Sequence, residues 1–303
     1  MKLHCCLLDL KLLITNKLRY MNFEYDAFWK NTGEHDFNVA LSSILERKSS
    51  FLDTEKWLKL ALSCIDLTTL DGNDHVKVVE KLCEKARTLA DNGKGIKPVA
   101  AVCVYSNFVS LSKKLLNGTG INVACVAGGF PSGQGLIASR VFDVQVAVEE
   151  GADEIDIVFP RGLLFLDEFQ KILDEIGMMR EACKVIKLKV ILETGELNNE
   201  LQICHASELS IKAGADFIKT STGKTSQGAS IEAVFVMLQA IKSHFDTTGN
   251  KIGLKPSGGI SDPETALNYL GLTYGVLGEE WMNNKLFRIG ASRLADKIFE
   301  SLS

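Results

Sequence analysis

Short apolar runs alternate with amphipathic segments along the chain from about residue 60 onward. The runs are rich in Val and Ile and show little strict alternation of polar and apolar positions, which is typical of strands buried on both faces. The sequence therefore predicts a series of buried parallel strands. These strands are expected at 64–67, 99–104, 122–126, 154–158, 188–191, 217–219, 252–255 and 286–289.

Helical periodicity occupies the intervals between the predicted strands. Asp262 followed by Pro263 indicates a helix start, because Asp caps the first turn and Pro needs no N–H donor there. Gly151 and Gly214 each follow a helical segment, as glycines in the left-handed conformation commonly do at helix ends. Helices are expected at 74–90, 110–116, 136–150, 167–183, 199–213, 231–245, 263–270 and 291–299.

Eight strand–helix units favour a (β/α)8 TIM barrel over an open doubly wound sheet. No linker interrupts residues 56–303, which are predicted to form one barrel domain. Residues 1–55 are predicted to be an N-terminal extension with a helix at 36–47; a further helix at 54–62 is expected to pack against the N-terminal mouth of the barrel. The first 20 residues are expected to be disordered. A targeting segment is an alternative for them, but we favour a second translation start at Met21.

The composition narrows the class of protein. Of 303 residues, 46% are hydrophobic and 24% are charged, which excludes general disorder. A net charge of −4 provides no basic field for nucleic acid or an anionic membrane, so neither is expected as a partner. Several of the eight cysteines lie in apolar runs and none forms a Cys-x-x-Cys pair, which predicts free thiols, no zinc site and a cytoplasmic location.

Lysines within apolar strands are the most informative anomaly. Lys189, Lys219 and Lys255 lie on the fifth, sixth and seventh predicted strands, which are neighbours in a barrel. A buried ammonium must be paired or lose its proton, and like charges in one cavity lower a lysine pKa. A neutral lysine is a nucleophile that forms a Schiff base with a carbonyl compound. The alternative is that each lysine forms a structural ion pair with Asp156, Glu154 or Glu193.

Glycine-rich turns follow the last three predicted strands. Gly223-Lys224, Gly258-Gly259 and Gly290-Ala291-Ser292 would meet at one corner of the barrel mouth. Backbone N–H groups near helix N-termini bind anions, and barrel phosphate sites commonly follow strands seven and eight. The three turns together predict a phosphate site, whereas each glycine alone is also the usual residue of a tight turn.

Six segments together resemble the deoxyribose-phosphate aldolase family. The most specific are FIKTSTGK at 217–224, GLKPSGGI at 253–260 and FRIGAS at 287–292, and the others lie at 63–70, 101–105 and 151–156. The resemblance extends in order from about residue 55 to the C-terminus. It implies a barrel lyase that reversibly cleaves 2-deoxy-D-ribose 5-phosphate to acetaldehyde and D-glyceraldehyde 3-phosphate, with no cofactor or metal. It also implies a role in deoxyribonucleotide catabolism and a homodimer.

The resemblance also implies roles for individual residues. Lys219 corresponds to the Schiff-base lysine, Lys255 to the lysine that lowers its pKa, and Asp156 to the carboxylate that transfers protons with water. The residues expected to bind the sugar phosphate are Asp66, Thr68, Cys103, Lys189, Thr220, Gly223, Lys224, Gly258, Gly259, Gly290, Ala291 and Ser292.

The chain departs from the family pattern at three places. Ser261 follows Gly-Gly-Ile where many members carry Arg, and Arg293 follows Gly-Ala-Ser where small residues are usual. The chain ends in Ser301-Leu302-Ser303 rather than in the tyrosine of many bacterial members. Two alternatives stay open: an aldolase for another sugar phosphate, and a non-catalytic sugar-phosphate-binding barrel.

Overall fold

The computed structural model describes residue 39, residues 41–44, residues 53–90 and residues 92–302. Strands and helices alternate through this part of the chain. The strands are β1 (Ile65–Thr68), β2 (Ala101–Tyr105), β3 (Asn122–Val126), β4 (Glu154–Val158), β5 (Lys187–Ile191), β6 (Phe217–Lys219), β7 (Gly253–Lys255) and β8 (Ile289–Ala291). The helices are α1 (Thr54–Ser63), α2 (Val76–Thr88), α3 (Val109–Leu115), α4 (Ile137–Glu149), α5 (Arg161–Leu164), α6 (Phe169–Cys183), α7 (Glu200–Lys212), α8 (Ile231–Thr248), α9 (Pro263–Leu277) and α10 (Leu294–Leu302).

The eight strands form one parallel sheet whose spatial order follows the chain. β1 pairs with β2 on one side and with β8 on the other. Isolated parallel bridges join Leu254 to Phe287 and Ser257 to Gly290, and they close the circle between β7 and β8. This arrangement confirms the (β/α)8 barrel. No helix within the described ranges is long and apolar enough to span a membrane.

Alternate residues of each strand face the helices and the barrel interior. Side chains such as Leu67, Val102 and Ile155 belong to the large apolar core between strands and helices. The barrel interior itself has an apolar part and a charged part. Small apolar side chains from β2 and β3, among them Cys103 and Ala124, form a separate cluster there. β1, β4, β5, β6 and β7 supply buried charged groups to the rest of the interior.

The last strand lies further along the chain than predicted. The sequence predicts a strand at 286–289 and a helix from 291, whereas β8 is Ile289–Ala291 and α10 begins at Leu294. Gly290 belongs to the strand rather than to a turn. A Cβ atom there would lie 2.7 Å from the Cβ of Ser257, so only glycine allows this close approach of neighbouring strands.

Helix α9 is longer than its predicted range of 263–270 and ends at Gly278, whose φ is +81°. Gly275 lies inside it, where a Cβ atom would collide with the side chain of Ile44. The glycine thus provides room for the helical residues 41–44, which lie within the helix predicted at 36–47. The rest of that predicted helix, and residues 1–38, lie outside the described residues. The proposed boundary near residue 55 stays a prediction.

Gly253 offers a test of the packing inside the barrel. A Cβ atom there would collide with the ring of Phe217, which also has the Arg288 guanidinium 5.8 Å from its centroid. We expect Gly253→Ala to lower the free energy of unfolding by about 1–3 kcal/mol, because an overpacked interior must shift. Gly72→Ala is the control, since no atom lies within 4 Å of its added Cβ. Equal denaturant midpoints for the two variants would contradict this account.

Candidate active site

Six buried charged side chains form a closed ring in the barrel interior, with positive and negative groups alternating. Each has 5% or less of its surface exposed. The members come from β1, β4, β5 and β7 and from the residue that precedes β8. In order around the ring they are Asp156, Lys189, Glu154, Arg288, Asp66 and Lys255.

One half of the ring is built on β4 and β5. The Nζ atom of Lys189 lies 2.7 Å from Asp156 Oδ1 and 2.7 Å from Glu154 Oε2. The backbone register places Asp156 directly opposite Lys189, so the two side chains enter the interior at one level. Asn122 on β3 donates a 2.8 Å hydrogen bond to Glu154 Oε1, which further fixes this carboxylate.

Arg288 and Lys255 complete the other half through Asp66. Arg288 donates from Nη2 to Glu154 Oε1 at 2.7 Å and from Nη1 to Asp66 Oδ1 at 2.6 Å. Lys255 Nζ lies 2.5 Å from Asp66 Oδ2 and 2.8 Å from Asp156 Oδ2. A buried charge that lacks a partner is costly, and here every member of the ring has an opposite charge on both sides.

Lys219 is attached to the ring but is not part of it. Its Nζ atom lies 2.9 Å from Asp156 Oδ2, the oxygen that Lys255 also contacts. Only 3% of the residue is exposed, but it lines the cavity at the C-terminal mouth of the barrel. The register of β6 and β7 places Lys219 beside Lys255. Of the three strand lysines, Lys219 is therefore the one that a molecule in the cavity would meet.

The ring holds its members in their charged forms. Burial by itself would raise the carboxyl pKa values, but the surrounding Lys and Arg charges lower the pKa of Asp66, of Glu154 and of Asp156. Burial opposes the charge of Lys189 and Lys255 in the same way. The neighbouring carboxylates outweigh this effect and raise the pKa of both lysines.

Lys219 behaves in the opposite way. Burial is the largest cause of its lowered pKa, the charge of Lys255 lowers the pKa further, and the Asp156 carboxylate opposes both. The sequence predicts such lowering from repulsion among the three lysines, and the family resemblance implies that Lys255 lowers the pKa of Lys219. The contacts separate the three lysines, because Lys189 and Lys255 have carboxylates on two sides whereas Lys219 has one. The ion-pair alternative thus describes Lys189 and Lys255, although Glu193 contacts neither.

A cavity of about 320 Å³ opens above Lys219. Its volume lies at the lower end of the range for small-molecule sites. The loops after β6, β7 and β8 form most of its wall, and residues after β1 complete it. The predicted site residues that line it are Thr68, Lys219, Gly223, Lys224, Gly258, Gly259, Gly290, Ala291 and Ser292.

The other predicted residues lie around or beneath the cavity rather than in its wall. Asp66, Asp156, Lys189 and Lys255 belong to the charged ring. Thr220 is buried, and its hydroxyl donates to the Ser257 carbonyl at 2.9 Å. Cys103 is buried in the apolar cluster of β2 and β3, and burial raises the pKa of its thiol. These residues shape the site without lining it.

A buried carboxylate supports the glycine-rich corner. Glu193, after β5, has a left-handed backbone (φ +56°) and accepts hydrogen bonds from the N–H and hydroxyl groups of Thr222. The Ser257 hydroxyl also donates to the carbonyl of Ser221 at 2.5 Å. The loops that carry Gly223 and Gly258 are therefore fastened to each other and to β5.

Sequence reasoning did not select Arg288, although it lies in an apolar run as the lysines do. The signal that selected the three lysines, a charged residue within an apolar run, would also have selected Arg288. Arg293 was noted as a departure, and the structure places it in the cavity wall beside Ser261. Lys224, also in the wall, forms a 2.9 Å ion pair with Asp71. Arg293 thus supplies a second positive group at the glycine-rich corner.

A TIM barrel that carries a buried amine of lowered pKa below a glycine-rich cavity wall is typical of the barrel aldolase class. Residues 60–268 match the family model of the DeoC/LacD family aldolases. The chain belongs to the DeoC/LacD aldolase family.

Relatives agree with this assignment. The chain is 44% identical over 253 residues to the human deoxyribose-phosphate aldolase, which covers 80% of this chain and 79% of the human protein. The mouse deoxyribose-phosphate aldolase gives the same identity and coverage. Among solved structures, the deoxyribose phosphate aldolase of Aeropyrum pernix superposes with a TM-score of 0.65 at 25% identity, covering 85% of this chain and 96% of that one.

The charged ring predicts how the free energy of unfolding depends on pH in the acidic range. The folded-state pKa values of its three carboxyl groups lie below the ordinary values of 3.8 and 4.5, so the unfolded chain binds more protons in that range. The free energy of unfolding should therefore fall as the pH drops below about 4.5, by up to about 1.4 kcal/mol per pH unit for each carboxyl group. Chemical denaturation between pH 6 and pH 3 measures this slope.

The control is Asp246→Asn, which removes the carboxylate of an exposed ion pair with Lys242. Exposed ion pairs contribute little to stability, so this variant should keep the slope of the unchanged protein. A free energy of unfolding that stays constant down to pH 3 would show that the buried carboxylates are not held in their charged forms.

Proposed function

We propose that the protein catalyses the reversible aldol cleavage of 2-deoxy-D-ribose 5-phosphate to acetaldehyde and D-glyceraldehyde 3-phosphate through a Schiff base on Lys219. The observation that carries the proposal is the position of Lys219, a buried amine of lowered pKa at the floor of the cavity. The names of the relatives at 44% identity support the substrate.

The reaction begins at the open-chain aldehyde of the sugar. The neutral Lys219 amine adds to C1, and loss of water gives an iminium ion. The iminium withdraws electrons while a base removes the proton of the C3 hydroxyl group, so the C2–C3 bond breaks. Glyceraldehyde 3-phosphate leaves, and C2 of the remaining enamine takes up a proton. Hydrolysis then releases acetaldehyde and restores the amine.

Asp156 and Lys255 are the groups proposed to move protons in these steps. Asp156 Oδ2 lies within 3 Å of both Lys219 and Lys255. Because carboxylates hold Lys255 as an ammonium and cations hold Asp156 as a carboxylate, Lys255 is proposed to donate protons to the reacting atoms or to water, and Asp156 to accept them. Lys189 and Asp66 contribute by keeping these two groups charged and fixed in position.

The glycine-rich corner is proposed to hold the phosphate group. Gly223, Gly258 and Gly259 have positive φ angles, which turn the backbone at the cavity wall. Lys224 and Arg293 add positive charge there, and Thr68 and Ser292 add hydroxyl groups. Binding the non-reacting end in this way orients C1 toward Lys219, and such orientation converts binding energy into rate.

The cellular setting is proposed from less direct observations. The six cysteines among the described residues are free and buried, which favours a reducing compartment such as the cytoplasm. The cofactor-free chemistry and the role in deoxyribonucleotide catabolism follow from the family resemblance. The homodimer stays a prediction, and the related enzyme from Aeropyrum pernix is described as tetrameric.

Trapping the Schiff base tests the role of Lys219. Acetaldehyde with borohydride should add a two-carbon group to Lys219, because the reductant fixes the imine of the neutral amine. Mass spectrometry of the digested protein locates the adduct. Lys219→Met replaces the neutral amine with an uncharged side chain of similar length and serves as the matched control, which should lose both the adduct and acetaldehyde release from 2-deoxyribose 5-phosphate. An adduct on Lys189 or Lys255 alone would overturn the assignment.

Arg293 tests the phosphate corner. We expect Arg293→Ser to raise KM for 2-deoxyribose 5-phosphate by about 10- to 100-fold, because a charge-assisted hydrogen bond contributes about 1.5–3 kcal/mol. Cleavage of unphosphorylated 2-deoxyribose should not change. Arg87→Ser, on the exposed face of α2, is the control and should leave both substrates unaffected. An equal loss with the two substrates would contradict a phosphate contact at Arg293.

A further inference from the structure

The charged ring is electrically neutral as a whole. It has three carboxylates, whose pKa values are lowered, and three cations, whose pKa values are raised. Three negative and three positive charges leave no net charge. Lys219 is the seventh ionisable group and has no further carboxylate to balance it. A proton on Lys219 would give the interior a net positive charge.

Arg288 lies opposite Asp156 in the ring. Two routes of ion pairs connect Arg288 to Asp156: one runs through Glu154 and Lys189, and the other through Asp66 and Lys255. Arg288 contacts both of the carboxylates other than Asp156, at 2.6 Å from Asp66 and 2.7 Å from Glu154. Lys189 also reaches both, but it lies 3.7 Å from Asp66 and its short contacts are with Glu154 and Asp156. Its guanidinium holds Glu154 with two hydrogen bonds, of 2.7 and 3.0 Å.

We infer that Arg288 is a positioning residue that keeps Lys219 neutral by balancing the carboxylates of Glu154 and Asp66. The inference rests on the proposed function of Lys219 as the reacting amine. Among the described residues, no ion pair or hydrogen bond joins Arg288 to Lys219, and Arg288 does not line the cavity. Arg288 acts instead through the ring. Because it balances the charges of Glu154 and Asp66, these carboxylates do not use up the positive charges of Lys189 and Lys255, which then balance Asp156.

The sign of the effect follows from the charges that face Lys219. These are Asp156 and Lys255, with the Cys103 thiol nearby and Lys189 beyond Asp156. If the Arg288 charge is removed, Glu154 and Asp66 draw more strongly on Lys189 and Lys255. The interior then becomes negative, and Lys219 should retain its proton to a higher pH. If the Glu154 charge is removed instead, the interior becomes positive and the pKa of Lys219 should fall further.

Three variants separate charge from structure. Arg288→Met removes one positive charge, and Glu154→Gln removes one negative charge. The double variant Arg288→Met/Glu154→Gln removes one of each, so the four remaining members again sum to zero. Arg288→Lys keeps the charge but loses the two-pronged contact with Glu154, and it serves as the conservative control.

The first readout is the acidic limb of the pH profile for kcat/KM with 2-deoxyribose 5-phosphate. We expect Arg288→Met to move this limb upward by on the order of one pH unit, which corresponds to about tenfold less neutral amine at a fixed lower pH. Glu154→Gln should move it downward. The double variant and Arg288→Lys should return it close to the position of the unchanged protein. A purely structural role would give three losses of activity without opposite pH shifts.

The second readout does not depend on the substrate. Trace labelling with acetic anhydride reports the neutral amine, because only that form attacks the acyl carbon and displaces acetate. The pH dependence of Lys219 labelling, measured by mass spectrometry, should shift with the same signs. If the labelling profiles of the variants shift as expected while neither the unchanged protein nor any variant releases acetaldehyde, the proposed substrate is wrong, but the role of Arg288 is supported.

The opposite outcome is equally decisive. If the unchanged protein is active and the labelling profiles of all variants coincide, Arg288 does not control Lys219. Removing one partner of a buried ion pair is strongly destabilising, so Arg288→Met is first checked by circular dichroism and thermal unfolding. If it does not fold, Glu154→Gln and the charge-neutral double variant decide the question. Identical labelling profiles for those two variants would overturn the inference.

Discussion

Charge inside a barrel is tolerated only when every charged group has an opposite charge within contact distance. The interior of this protein meets that requirement by arranging Asp156, Lys189, Glu154, Arg288, Asp66 and Lys255 in a closed alternating ring. No single strand could provide all six charged groups of the ring, because they come from five separate segments of the chain. The ring depends on the closed circle of parallel strands, and the site depends on the ring.

The chemistry of the site follows from the one amine that the ring does not include. Lys219 shares a carboxylate oxygen with Lys255, but it has no second carboxylate. Burial therefore lowers its pKa, whereas the same burial leaves Lys255 protonated. Two lysines on adjacent strands thus differ in reactivity because of the number of carboxylates they contact. An electrophile in the cavity meets Lys219, the lysine whose pKa is lowered.

The cavity wall depends on a different physical feature, the close approach of backbones. Gly290 allows β8 to lie against Ser257. A hydrogen bond that Ser257 donates and another that Glu193 accepts fasten the loops of β6 and β7. Positive charge enters this corner on Lys224 and Arg293. Lys219 and the glycine-rich corner are therefore built on neighbouring strands, and the distance between them is set by the barrel itself.

The sequence by itself determined the number of strand–helix units, the barrel, the strand position of Lys219, which we propose as the reacting lysine, and the glycine-rich corner. Each of these features has a local sequence signal: a periodic pattern, a charged residue within an apolar run, or a turn residue. The register of β8, the length of α9 and the partners of each lysine came only from the tertiary structure. Those features depend on contacts between residues far apart in the chain, such as Arg288 with Glu154, which no local pattern encodes.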